Sequence, residues 1–331
     1  MSPASTPVSI TSVRTRDDQD AWCAVVQASL AADLPEEPVP SRQRLLARLA
    51  EPGAGARMLT WLADTGEEAA AVASARLIDQ QGRDHLAEIE LHVHPDHRRR
   101  GIGTALLREV TAAVVAEGRG SLVGTVPEQS AGDVFCLRRG FARELVLHHL
   151  LLPLSDVHRA WLDELVTNTR PGYELTGWDG PVPDALAESF AAAKDAMNDM
   201  PGSDDTRITW TPDRLRAMAD AVAARGDRLL TVAAVHDRDV AGYTELAVPG
   251  DGGRRAQQYD TAVVPAHRGH GLGVWVKAEM LRRVHDEHPG VAEIETDNAG
   301  ANDHMLAVNE QLGFRSYRRS YVYQLAVERP G

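Results

Sequence analysis

Leu91-His-Val-His-Pro95-Asp-His-Arg98-Arg-Arg-Gly101-Ile-Gly103 and Thr261-Ala-Val-Val-Pro265-Ala-His-Arg268-Gly-His-Gly271-Leu-Gly273 align without a gap at an offset of 170 residues. Further on, Gly140-Phe141 matches Gly313-Phe314 at an offset of 173. Two landmarks in one order, with so little slippage between them, make the chain two copies of one domain. Its 331 residues agree, since a single core rarely organises so many.

Outward from the landmarks, each copy reads as strand, Arg-x-x-Gly-x-Gly, helix. The first copy predicts strands over 8–15, 56–64, 70–79, 85–94, 121–126 and 141–154, with helices over 18–32, 41–51, 103–117 and 131–139. In the third of these helices Leu106, Leu107, Val110, Val114 and Val115 fall at helical spacing. The second copy predicts strands near 173 and over 229–236, 240–248, 256–264, 291–297 and 314–326. Its helices are expected over 183–198, 211–225, 273–287 and 302–312, and its loops over 199–206 and 249–254. A connecting helix over 155–170 separates a first domain, 1–154, from a second, 171–331.

Glycines at the end of a strand let the backbone turn sharply and approach a ligand. The unpaired N–H groups of the helix that follows form a cradle for an anion, and the combination suits a diphosphate. A dinucleotide fingerprint needs a third glycine where Leu106 and Val276 stand, and a P-loop needs a Gly-Lys-Ser/Thr that is absent.

Charge sets further bounds. Against 48 acidic side chains stand 35 Lys and Arg, a net charge of −13 that repels nucleic acid and favours a cationic partner such as an amine. Only Lys194 and Lys277 are lysines, which reads as nucleotide bias and not as chemistry. No apolar run is long enough for a membrane span, and Met1 to Pro7, with no basic patch before an apolar stretch, gives no expectation of a secretory leader. Cys23 and Cys136 are far apart and unpatterned, so a reducing cytoplasm is expected.

Both copies resemble the GCN5-related N-acetyltransferase (GNAT) family. Its pattern Val-x-Pro-x-x-Gln/Arg-x-x-Gly-x-Gly/Ala is met by Val93, Pro95, Arg98, Gly101 and Gly103, and again by Val263, Pro265, Arg268, Gly271 and Gly273. Asn302 through Gly313-Phe314 is similar to the family's later Asn-x-x-Ala segment, of which the first copy keeps only Gly140-Phe141. The resemblance implies an α/β (α+β) fold of two tandem GNAT domains, each a mixed, mostly antiparallel sheet flanked by helices. It also implies acetyl-CoA as cofactor. The diphosphate would lie on the amides of Arg98, Arg99, Arg100, Gly101, Ile102, Gly103 and Thr104, or of Arg268, Gly269, His270, Gly271, Leu272, Gly273 and Val274. The pantetheine arm would pair near His92-Val93 and Ala262-Val263, where an amide polarises the thioester carbonyl, and Asn302 would touch the arm.

The implied activity is transfer of an acetyl group to the amine of a small molecule by direct attack on the thioester. A mycothiol-synthase-like enzyme and a non-catalytic acyl-CoA-binding protein are the alternatives. A protonated amine needs a base. Strand alternation sets Glu88, Glu90 and His92 on one face, matched by Gln258, Asp260 and Ala262, so Glu88, Glu90 and Asp260 are base candidates. Where many relatives carry a tyrosine as general acid, Cys136 and Asn309 stand; Asn309 is retained as a catalytic candidate by position, with the acid unassigned and Tyr259, Tyr317, Tyr321 and Tyr323 as possible donors. His92-x-His94-x-Asp96-His97 matches a zinc signature, but the second copy keeps only His267, and no metal is expected. The fuller second copy is favoured as the catalytic one, with 199–206 supplying carboxylates to the acceptor.

Overall fold

The computed structural model describes residues 8–53, 55–79, 82–196, 209–300 and 302–327. The first repeat runs β1 (Ser9–Thr11), α1 (Arg16–Asp33), α2 (Arg42–Ala50), β2 (Ala56–Asp64), β3 (Ala69–Ile78), β4 (Leu86–Val93), α3 (Ile102–Ala116), β5 (Ser121–Pro127), α4 (Ala131–Arg138) and β6 (Ala142–Pro153). After α5 (Arg159–Thr167), the second runs β7 (Glu174–Asp179), α6 (Ala187–Lys194), α7 (Pro212–Ala224), β8 (Asp227–His236), β9 (Asp239–Pro249), β10 (Arg255–Val263), α8 (Leu272–Glu287), β11 (Glu293–Ala299), α9 (Asp303–Gln311) and β12 (Arg315–Ala326). Among the described residues each expected element is present, though β1 keeps only part of the expected 8–15.

Local chemistry sets the helix starts. Thr15, Ser41, Ser130, Thr211 and Asn302 each accept a backbone N–H with their side chains, capping α1, α2, α4, α7 and α9. α3 and α8 instead start from a left-handed glycine, Gly101 or Gly271, with no capping side chain.

Two compact units form: Met1–Val146 with Ser320–Gly331, and Leu147–Arg319. They divide the chain elsewhere than at the expected 154 and 170, because the last strand of each repeat completes the other repeat's sheet. The first unit's sheet has the order β1-β2-β3-β4-β5-β12, with Ser320–Ala326 antiparallel to β5. The second has the order β7-β8-β9-β10-β11-β6, with Leu147–Pro153 antiparallel to β11. Each sheet holds one parallel pair, β4–β5 and β10–β11. α5 also belongs to the second unit, where Leu162 is buried and the Trp275 indole donates to the Val166 carbonyl at 3.0 Å.

Each sheet buries both faces. In the first unit Ile102, Leu106 and Val110 of α3 pack on Ala73, Ala75 and Leu77 of β3, while Trp22, Val26 and Leu45 cover Leu62 and Val72 on the other side. In the second, α8, α5 and α9 cover the face carrying Leu230, Val232 and Leu246, and α6 and α7 the face carrying Ala233 and Tyr243. Burying each large apolar side chain contributes about 1.5–3 kcal/mol, so both layers are needed to offset chain entropy. Among the described residues no helix is long and apolar enough to cross a membrane.

Candidate active site

The two glycine turns are close copies. Residues 99 and 101 have φ of 64° and 83°, and their counterparts Gly269 and Gly271 have 85° and 71°. Arg99 therefore holds, as a non-glycine, a conformation that costs about 1 kcal/mol or more, where the second turn uses glycine. Among the described residues the N–H groups of Arg99, Arg100, Gly101, Ile102 and Gly103 meet no acceptor, and neither do those of Gly269, His270, Gly271, Leu272, Gly273 and Val274. The flanking amides are used: Arg98 and Arg268 donate to Pro95 and Pro265 at 3.3 Å, and Thr104 to Gly101 at 3.1 Å. Space matters as well, since a Cβ on Gly103 would meet Val93 at 3.2 Å.

Side chains complete the turns differently. Arg98 grips both oxygens of Asp33, at 2.7 and 2.9 Å, and its Nε donates to the Val93 carbonyl, as Arg268 Nε does to Val263. These guanidinium groups brace strand against turn. Arg99 and Arg100 are exposed and give the first turn its charge. The second turn has Gly269 and His270 there, but Arg170 lies beside it, with Nε 3.4 Å from where a Cβ on Gly271 would stand.

Both parallel ladders open ahead of the turns. Pairing ends at Glu88↔Val123 in the first unit and at Gln257↔Glu295 in the second, although β4 and β10 run on to Val93 and Val263. The antiparallel side differs. β4 stays in register with β3 from Leu77↔Ala87 to Ala71↔Val93, whereas β10 has a bulge against β9 between Gln258↔Leu246 and Thr261↔Thr244. Tyr259 and Asp260 therefore both stand opposite Glu245. An extra residue of this kind re-aims side chains and unpairs backbone.

At the bulge, Lys194 Nζ lies 2.5 Å from Glu245 Oε2 and 2.9 Å from Asp260 Oδ2. Trp210, Tyr243 and Phe190 rings surround this ammonium, the nearest at 4.5 Å. Burial alone would lower the Lys194 pKa, but the two carboxylates outweigh it and raise it; burial raises that of Glu245. The Asp260 side chain is 36 % exposed, while those of Lys194 and Glu245 are buried.

The first unit's carboxylates are engaged by arginines. Glu88 bridges Arg76 at 2.7 Å and Arg83 at 2.6 Å. Glu90 pairs with Arg48; burial opposes its ionisation, but His92 and Arg48 hold its pKa down to about 2. The signature histidines part company: His92 meets Ser29, His94 accepts the Asp96 N–H, and His97 meets Glu68. The described residues bring together a different set, His149, Glu295 and Asp297 in the second unit, where Arg318 and Arg255 also reach Glu295.

The remaining candidates scatter. Asn302 is the cap of α9, its Oδ1 accepting the Met305 N–H at 3.2 Å. Asn309 is 1 % exposed, and neither atom of its side-chain amide has a hydrogen bond. Burial raises the Cys136 pKa to about 11. Tyr321 and Tyr323 lie in the first unit, bonded to Glu128 and Asp133. Tyr317 meets Arg255 at 3.4 Å, and Tyr259 packs against the Ala219–Val222 cluster. The expected acceptor loop, 199–206, lies outside the described residues. Sequence reading passed over Arg170, Lys194 and Lys277. The signal visible for the last two was their scarcity, two lysines among 35 basic residues; the structure buries both in the second unit.

A family model described as the acetyltransferase (GNAT) family matches residues 25–141 and, again, 195–314. The chain is 30% identical over 290 residues to a mycothiol acetyltransferase of Salinispora arenicola (strain CNS-205), covering 86% of this chain and 87% of that one. It is 30% identical over 305 residues to a mycothiol acetyltransferase of Nocardia farcinica (strain IFM 10152), covering 90% and 92%. Among solved structures, a tandem GNAT protein from the clavulanic acid biosynthesis pathway matches with a TM-score of 0.83 at 26% identity, over 98% of this chain and 100% of that one.

Proposed function

The chain belongs to the acetyltransferase (GNAT) family as a tandem member, and on that premise we propose that its second unit acetylates the amine of a small, cationic acceptor, with acetyl-CoA as donor. The observation that carries this reading is a coincidence within one unit. A turn of free amides, an opened parallel ladder and a strand bulge bearing a partly exposed carboxylate meet on β10 and its continuation.

The residues present suit a diphosphate thioester. The amides of Gly269 through Val274, with the Arg170 guanidinium beside them, would hold the diphosphate. The edge of β10 beyond Gln257 would pair with the pantetheine arm near Ala262 and Val263. Bound there, acetyl-CoA supplies an activated acyl group. Asp260 takes the proton from the acceptor ammonium, directly or through a water, and frees the lone pair for direct attack. Lys194, shared with the buried Glu245, holds that carboxylate in place. The first unit keeps a turn that would bind a second CoA, beside strand carboxylates, Glu88 and Glu90, that are paired with arginines.

The 30% identity over most of the chain favours one acceptor in particular, the amine whose acetylation gives mycothiol. The test is turnover with a panel of small amines that includes it. Release of free CoA should track acetylated product. Binding of acetyl-CoA with no product from any amine would instead make the chain an acyl-CoA-binding protein.

A further inference from the structure

α3 and α8 align at the same offset of 170, and they differ sharply at one interior position. Leu107 of α3 packs into the first unit's apolar core. Its counterpart on α8 is Lys277, 2 % exposed. Lysine in place of a core leucine is costly, because desolvation penalises the charge.

The surroundings of Lys277 are specific. Its Nζ donates to Gln258 Oε1 at 3.3 Å and sits 5.0 Å from the centre of the Phe314 ring. Gln258 is fixed in turn, its amide donating to Thr244 Oγ1 at 2.9 Å and to the Glu245 carbonyl. Gln258 is also the last β10 residue before the bulge, and it follows Gln257, where the parallel ladder ends. No carboxylate or second cation acts on Lys277 among the described residues. The face it joins is formed by apolar residues of α5, α8, α9 and β8 and by neutral side chains of β9, β10 and β11, while Glu245 and Asp260 pair with Lys194 on the opposite face. Asn309, at the position where relatives place an acidic tyrosine, carries no ionisable proton, and its buried amide has no partner.

We propose that Lys277 is the proton donor to the thiolate that leaves when the second unit transfers its acyl group. This rests on the reading of that unit as the acetyl-CoA site. As the C–N bond forms, the C–S bond breaks and its electron pair goes to sulfur, which takes a proton from Nζ and becomes the CoA thiol. The acceptor ammonium gives up two protons in becoming an amide. One restores Lys277 through solvent and the other is released. Burial brings the Lys277 pKa down to about 7, so the side chain exchanges a proton readily near neutrality.

The experiment uses CoA itself and follows the ultraviolet absorbance of its thiolate against pH, when bound to the whole protein and to Lys277→Met. An ammonium beside the sulfur favours the thiolate, so its midpoint should lie at least about one pH unit lower on the parent protein. CoA affinity should change less than about threefold, and kcat with an accepted amine should fall about 10²-fold. Lys277→Leu, which copies Leu107, gives the same comparison if the methionine packs poorly. Equal thiolate midpoints, or an unchanged kcat, would overturn the proposal while leaving the acetyl-CoA reading intact. Failure of CoA to bind the parent protein would remove both.

Discussion

In the first unit β4 keeps register with β3 to its end, while in the second β10 slips by one residue against β9 just where the parallel ladder has opened. The turns beyond these strands are nearly superimposable in φ and in free amides. What differs lies between the motif residues. Glu88 and Glu90 face arginines, and Glu90, its pKa held down to about 2 by His92 and Arg48, has little affinity for a proton at neutral pH. Asp260 faces a lysine on a bulge, with its carboxylate partly open to solvent. The lesson is that duplication preserved the glycine turn and its free amides, which depend on backbone, while side-chain chemistry diverged.

The sharpest way to break this contrast is at the two matched glycines. Gly273→Glu places bulk and negative charge in the second cradle and should lower turnover by about 10³-fold. Gly103→Glu should abolish only the first turn's CoA binding and leave turnover within about threefold. Calorimetric stoichiometry and steady-state rates on both variants check this. The reverse pattern would move the chemistry to the first unit.

A smaller effect is expected at the carboxylates. Asp260→Asn should lower kcat about 10²- to 10³-fold with KM for acetyl-CoA nearly unchanged, because it removes a proton acceptor and not a binding contact. Glu90→Gln should leave kcat within about twofold, so equal losses in the two variants would erase the contrast between the two carboxylates.

The smallest effect is on stability. The folded-state pKa of Lys277 lies near 7, below its ordinary 10.5, so between these values the unfolded chain binds more protons. The second unit should therefore gain stability as pH rises through that window, the penalty being fully present below about 7. Lys277→Met should remove that gain and raise the melting temperature at pH 7 by roughly 3–6 °C. Matching slopes of melting temperature against pH in the two proteins would show that the side chain is not desolvated.

Much of the fold was legible because the same signals occur twice. Glycine spacing at the two turns, helical spacing from Leu106 to Val114 and alternation along the strands are local patterns, and each yielded the expected element. The glycine turns were legible too, since Gly101 and Gly271 adopt positive φ. The surroundings of the candidate carboxylates were less so. Alternation alone placed Gln258 and Asp260 on one face, but the bulge reverses that relation and sets Asp260 beside Glu245 and Lys194. The scarcity of lysine was visible, but its meaning depended on burial, which no composition contains.

Sequence by itself determined the duplication, the element order, the twin glycine turns and the family, because all of these rest on short-range spacing and backbone preference. Tertiary structure alone decided which sheet each closing strand joins. β6 and β12 are alike in length and pattern, so ladder hydrogen bonds cannot choose between the sheets; Leu150 and Leu152 find the second core, while Tyr321 and Tyr323 find the first. It also decided which buried charges meet. Those contacts join residues far apart in the chain, and their energies depend on desolvation and distance that only the folded packing sets.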